Sequence, residues 1–258
     1  MTLVWKSGYS FDSDASTYID AVETADGQAL ETGVRVAIND FVLGCKQDGI
    51  WNAIKASCIL AGARTLDGAL VPLTGGAPTN NNFVSADYDR ETGLVGDGST
   101  KYLDSNRNNN ADPQNNKHLS AYLKQAQSGT SGIHIGTNTA VTLGTCQIAS
   151  DLSGNSTNFS VNNASTANIA AATPRIGFLG AARSAASEFT ARVDGANSTA
   201  LISSNAPNNI STFIFCRNGN AVFSNARLSF YSIGESLDLA LLDTRVSNIM
   251  TAIGAAIP

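Results

Sequence analysis

The sequence is short of charge, of aromatic rings and of every residue cluster that builds a compact catalytic or metal motif. Only 14% of its 258 residues are charged, and 16 Lys and Arg are outnumbered by 21 Asp and Glu. A basic footprint for phosphates is therefore missing, and no nucleic-acid partner is expected. Aromatic residues make up 7% of the chain and do not alternate with Lys or Arg, as a single-strand groove requires. The four cysteines, Cys45, Cys58, Cys146 and Cys216, have no C-x-x-C spacing, which argues against a structural zinc site. Cys58 and Cys216 sit in apolar runs and read as small hydrophobes. No apolar run approaches a membrane span. The most apolar stretch, "IWNAIKASCILAGA", is interrupted by Asn52 and Lys55, so no membrane insertion is expected. The first residues lack the apolar segment and cleavage site of a signal peptide, which predicts synthesis in a cytoplasm.

Catalytic signatures are equally sparse. Neither His118 nor His134 has a sequence neighbour that would make it a general base. Alternation in "GIHIG" turns His134 away from its flanking isoleucines, which suits a surface or packing role. There is no G-x-S-x-G elbow and no Walker loop, and "GDGSTK" (96–101) has the wrong spacing for a phosphate cradle and reads as a turn. A carboxylate pair for glycoside cleavage is assembled in space and leaves no sequence mark. The acids Asp87, Asp89, Glu91, Asp97 and Asp104 fall mainly in turn segments, where they serve turn chemistry. The expectation is a protein that is not an enzyme and needs no cofactor.

What is present is pattern. The length suits one β-rich domain with an appendage, and a chain of this size buries roughly three-quarters of its unfolded surface. Over 28–46, Leu30, Val34, Ala37, Ile38, Phe41 and Cys45 form one helical stripe. A helical turn with Trp51, read as core, and a buried strand follow. From about residue 63, short apolar or alternating runs separated by Gly, Asn, Asp, Ser and Thr predict strands at 69–73, 101–105, 118–124, 132–136 and 146–150. Further strands are predicted at 158–162, 175–183, 188–195, 212–217 and 226–234. "VDGAN" (193–197) and "RNGNAVF" (217–223) look like hairpin turns. The division is a helical docking segment at 1–62 and a β-sandwich at 63–258. Two Asn-rich stretches, 105–117 and 151–168, read as exposed loops, the second holding a strand.

The chain's end changes period in mid-run. "RLSFYSIG" alternates as a strand, with Leu228 and Phe230 on one face and Tyr231 and Ile233 on the other, so it reads as central and covered on both sides. Ser236 then stands where an N-cap belongs, with Asp238 in the first turn. Leu239, Leu242, Val246, Ile249, Met250 and Ile253 make an apolar stripe with helical spacing. The prediction is a last strand that hands over to a helix laid on the sandwich.

Four stretches together carry a resemblance: "DGIWNAIKASCILAGA", "ETGLVGDGSTKYLDS" with Gly96, Gly98 and Tyr102, "RIGFLGAARS", and "ARLSFYSIGESLDLALLDTRVSNIM". Over roughly residues 48–254 the chain resembles the concanavalin A-like, laminin G-like β-sandwich proteins of tailed bacteriophages, cyanophages and prophages. The resemblance implies a mainly β, antiparallel jelly-roll sandwich with an N-terminal helical segment and a C-terminal helix. It implies a virion structural protein, a tail or fibre component or a capsid decoration, that meets other virion proteins and forms a homo-oligomer. Leu30, Val34, Ile38 and Phe41 would then dock the sandwich to a partner or to copies of itself. The alternative is a glycan-binding module contacting a host surface through Tyr102, Tyr122, Asn106 and Asn109, with a polysaccharide-cleaving enzyme as a third reading. Laminin G-like sandwiches often hold calcium, for which Asp104, Asn106, Asn108 and Asp112 supply oxygen ligands, although EF-hand spacing is absent.

Overall fold

A computed structural model describes residues 11–138, 143–170, 175–219 and 221–258. Its first helix, α1 (Ser13–Asp26), starts where the Asp12 carboxylate accepts the Asp14 N–H and stops at Gly27, which takes the left-handed conformation at φ 63°. Helix α2 (Thr32–Gln47) carries the stripe read from the sequence. A four-residue helix, α3 (Leu66–Ala69), capped by the Thr65 hydroxyl, stands at the start of the strand predicted over 69–73. Past it, Leu73 donates its N–H to the Ser57 carbonyl of the sheet at 2.8 Å, beside an isolated bridge at Thr74. The last helix, α4 (Leu239–Ala256), is capped by Asp238 and not by Ser236, because the Asp238 carboxylate is the group that reaches the free N–H groups of Ala240 and Leu241.

Between the helices the chain forms sixteen strands among the described residues. They are β1 (Ile54–Ile59), β2 (Thr79–Asn81), β3 (Tyr88–Asp89), β4 (Gly93–Val95), β5 (Tyr102–Asn108), β6 (Lys117–Gln125), β7 (Gly132–Thr137) and β8 (Thr145–Asp151). The second half supplies β9 (Ser156–Asn163), β10 (Ala167–Ala170), β11 (Gly177–Arg183), β12 (Phe189–Val193), β13 (Ala196–Ala200), β14 (Ser211–Ile214), β15 (Arg217–Asn218) and β16 (Arg227–Gly234). One sheet runs β13-β12-β11-β6-β16-β4-β3, with β1 also paired to β16. The other runs β10-β9-β8-β7-β14-β5-β2, with β15 joined to β7 as the one parallel pair among the described strands. The architecture is the antiparallel sandwich expected from the sequence. The hairpin at 193–197 is present, with Asp194 at φ 51° and Gly195 at φ 73°, the pair of positive angles a two-residue turn needs. The second expected hairpin, 217–223, includes residue 220, which lies outside the described residues; its first two residues form β15 and pair in parallel with β7.

Two cores result. One lies between the sheets and includes Leu103, Ile135, Phe159, Leu179, Leu228 and Tyr231. The other lies between the outer face of the first sheet and the helices, and joins Phe178 and Phe230 to α1, α2 and α4. Strand β16 is covered on both sides as predicted, but its register slips between Leu228 and Phe230, which pair with Leu123 and Tyr122. That bulge sends Leu228 inward and Phe230 toward the helices, so the two do not share a face.

The helical stripe is spent inside the molecule. Leu30, Val34, Ile38 and Phe41 are all buried, and the Phe41 ring meets Phe230 edge to face with centroids 5.8 Å apart. The docking expected of these four side chains is docking onto their own sheet, which leaves them unavailable to a partner. The segment 1–62 also contributes β1 directly to that sheet, through Ile59↔Phe230 and Cys58↔Tyr231. Arg245 of α4 closes the helical layer. It lies where a side chain at Gly44 would stand and pairs bidentately with Asp48 at 2.7 and 2.9 Å. No described helix is long and apolar enough to cross a membrane.

Candidate functional site: the open face of the second sheet

Helices cover the first sheet from outside, whereas on the second sheet β7, β8 and β9 are almost wholly buried and the outer face is open to solvent at its β14-β5-β2 end. On β5, Leu103 and Ser105 are buried while Tyr102, Asp104 and Asn106 are not; on β14, Thr212 and Ile214 are buried while Phe213 is half-exposed. Alternation places Tyr102, Asp104 and Phe213 on the same outer surface, and Asn106 joins them by donating to Thr79, the β2 partner of Asp104. Pairing of β5 with β14 sets Phe213 beside Asp104, which lets the rings of Tyr102 and Phe213 stack at 4.6 Å with an interplanar angle of 27°. Phe223 joins them at 6.4 Å from Tyr102.

Polar groups border this aromatic patch. Asp104 accepts the Asn106 N–H at 2.8 Å and the Ser211 hydroxyl. Asn106, in the left-handed region at φ 55°, donates its amide to the Ala77 carbonyl at 2.9 Å. Asn81 is Tyr102's register partner on β2, and the Asn108 amide reaches Asn209 at 2.9 Å. On the other side of β14, Arg217 donates to the Gln147 side chain at 3.1 Å. Half-exposed rings rimmed by amides and hydroxyls are suited to a sugar, whose C–H face stacks on an aromatic ring while its hydroxyls find donors and acceptors.

Of the glycan residues read from the sequence, Tyr102 and Asn106 belong to this surface and the other two do not. Asn109 is fully buried, with its amide donated to Gly144 and Asn162 at 3.1 and 3.0 Å. Tyr122 packs on the helical side of the first sheet, its ring 5.8 Å from the Lys124 ammonium. The contributions of Phe213 and Phe223 were not legible. Plain alternation puts Phe213 and Phe215 on one face of a 212–217 strand, but Phe215 takes φ 66° and drops into the core.

The calcium set does not converge. Asp112 is buried and held by two cations, Arg107 at 2.5 Å and Lys117 at 3.0 Å, so its negative charge is already matched. Burial pushes its carboxyl up, but the Arg107 hydrogen bond and the Lys117 charge outweigh this and hold it below the usual range. Asn108 is engaged with Asn209. Among the described residues no cluster of three or more His, Cys, Asp or Glu could hold a metal ion.

Both histidines are interior packing groups. His118 places Nδ1 2.6 Å from the Glu235 carbonyl and Nε2 2.9 Å from the Ser232 hydroxyl, and burial pulls its pKa down to about 4. His134 lies between the hydroxyls of Ser224 and Ser150 at 2.9 and 2.8 Å, and burial lowers it to about 3. A β-bulge between Ile133 and Ile135 directs this ring inward. The Ser232–His118 pair has the atoms of a nucleophile and its base, yet both residues have no exposure and a substrate could not reach them. The "GDGSTK" segment is the turn it was read as, with the Asp97 carboxylate accepting the N–H groups of Ser99, Thr100 and Lys101.

No family model matches the chain, and no curated protein matches it. Solved structures do share its fold. The binding domain of botulinum neurotoxin serotype D aligns with a TM-score of 0.51 at 12% identity, over 76% of this chain and 52% of that one. The receptor binding domain of the botulinum neurotoxin C/D mosaic serotype aligns with a TM-score of 0.50 at 11% identity, over 76% and 51%. The chain therefore spans about half the length of each, and at these identities the likeness is one of fold.

Proposed function

We propose that this sandwich is a glycan-binding module whose binding surface is the open face of the second sheet. The observation that carries the reading is the half-exposed Tyr102–Phe213 stack, set among amides on the sheet face that the helices leave uncovered. A flat aromatic surface favours stacking along a sugar chain over enclosure of a single residue. Fold-level analogy points the same way, since two of the structures that share the fold are a binding domain and a receptor binding domain.

The setting in which such a module would act comes from the sequence resemblance alone. On that resemblance the protein would be a phage virion component, an oligomeric tail, fibre or capsid-surface protein, and the glycan it contacts would be one of the host surface. The buried α2 stripe lends this setting nothing. Antibody labelling of purified particles in the electron microscope tests it, and absence of the protein from particles would end it. The binding reading is tested by an array of neutral and acidic polysaccharides followed by titration calorimetry. Saturable binding to a polysaccharide that is lost in Phe213→Ala supports the open face; binding unchanged in that variant removes it. A fall in polymer viscosity on incubation would turn the reading toward an enzyme.

A further inference from the structure

We infer a second ligand site in the helical layer, around Trp51, that takes a single neutral hexopyranose residue. Trp51 was read from the sequence as core, but it stands half-exposed in the helical turn Trp51–Ala53 that links α2 to β1. Its indole and the Asp14 carboxylate both line two hollows of different character. A largely apolar one of about 370 Å³ lies between α1 and the 71–74 segment, walled by Tyr18, Ala21, Val71 and Pro72. A polar one of about 330 Å³ is lined by Asp14, Lys46, Gly49 and Asn52. Both fall at the lower end of the size range of small-ligand sites.

The indole is held in place. Its Nε1–H donates to the Asp14 carboxylate at 3.1 Å, and the same oxygen takes the Lys46 ammonium at 2.7 Å. Lys46 also reaches Asp12 at 2.6 Å and sits 5.9 Å from the ring centroid. These contacts raise the Lys46 pKa and lower that of Asp12, so both groups stay charged at neutral pH. A rigid aromatic surface with apolar walls toward one hollow, an ammonium and an amide in the other, and a carboxylate shared by both is amphiphilic in the way a pyranose is. The sugar's C–H face would lie on the indole and its hydroxyls would meet Asp14, which is 52% exposed at its side chain, and Asn52, which is exposed.

Charge selects among sugars. The charged groups that line the polar hollow are the Asp14 carboxylate and the Lys46 ammonium, paired at 2.7 Å, so its lining carries no net charge. A neutral residue matches such a lining, whereas the Lys46 ammonium is already taken by Asp12 and Asp14 and leaves a sugar acid's carboxylate without a free cation. Two short hollows suit one residue at a chain end, whereas the open sheet face offers a flat stretch. The two sites lie on different layers of the fold and stand or fall separately.

The test uses the full chain with Trp5→Phe, which leaves Trp51 as the sole indole of the two in the sequence. Trp51 emission is followed during titration with methyl glycosides of glucose, galactose, mannose and N-acetylglucosamine, and with N-acetylneuraminic acid. A saturable change is expected with at least one neutral glycoside and none with the sugar acid. Affinity should fall roughly tenfold in Asn52→Ala and in Asp14→Asn, and should be unaltered in Phe213→Ala. Asn52 is exposed, so its truncation is expected to leave the melting temperature unchanged and its effect to read binding. Silence with every neutral glycoside, equal affinity in Asn52→Ala, or preference for the sugar acid would overturn the inference. Loss of polysaccharide binding in Phe213→Ala with the Trp51 response intact would separate this site from the open face.

Discussion

Tyr102 and Phe213 stack at 4.6 Å although they are 111 residues apart (213 − 102), because β14 pairs with β5 at Phe213↔Asp104. Truncating either ring removes half of the platform and leaves the inter-sheet core untouched. Tyr102→Ala and Phe213→Ala are each expected to weaken glycan binding roughly five- to tenfold. Calorimetry reads the affinity, and an unchanged thermal midpoint within a few degrees confirms that only the surface changed.

Asp112 and Lys117 form an ion pair in which both side chains are 1% exposed. Removing one partner strands the other charge in the interior, so Asp112→Ala should cost about 3–5 kcal/mol in urea unfolding. Asp104→Ala, at the half-exposed rim, should cost far less. Calcium is a separate check on the same loop. Millimolar calcium or a chelator is expected to leave the melting temperature unchanged, whereas stabilisation that grows with calcium concentration would restore the cation reading.

Phe41 and Phe230 join the helical layer to the first sheet. Phe41→Ala opens a cavity there and should destabilise the protein by about 3–5 kcal/mol. Deleting residues 1–47 removes α1 and α2 and exposes the sheet face that carries Phe178 and Phe230. That variant should aggregate or fail to fold. A soluble, cooperatively unfolding deletion product would show that the helical segment is an appendage after all.

His118 and His134 are held neutral by burial, near pKa 4 and 3 against an ordinary 6.5. The unfolded chain takes up protons through 6.5 that the native state refuses, so stability falls as pH drops from about 6.5 toward 3. The limit is about 1.4 kcal/mol per pH unit for each histidine. Asp112 adds a loss of its own at lower pH, since its native pKa lies below 3.8. Urea midpoints measured across this range should decline on the acid side, and His134→Gln should make the decline shallower. A slope that His134→Gln leaves unaltered would mean the ring is solvated.

Local pattern determined much of the architecture. The C-terminal stripe Leu239, Leu242, Val246, Ile249, Met250 and Ile253 is buried to the last residue, and Asp194-Gly195 turns a hairpin. Such features are legible because the period of burial and the need for a positive φ are properties of a few adjacent residues. What the period leaves open is the surface that each apolar stripe meets. The α2 stripe could face a partner or its own sheet, and only the crossing of α2 with α4 and β16 decided for the sheet. Bulges at Leu228–Phe230 and at His134 each shift a side chain to the opposite face, which no alternation rule anticipates. Both candidate sites are products of long-range pairing. Phe213 reaches Tyr102 through the β5–β14 ladder, and Trp51 reaches Asp14 across the α1–α2 layer, 37 residues away in sequence. A chain encodes its local periods residue by residue, but a surface site is a sum over strands and helices that only the packed fold brings together.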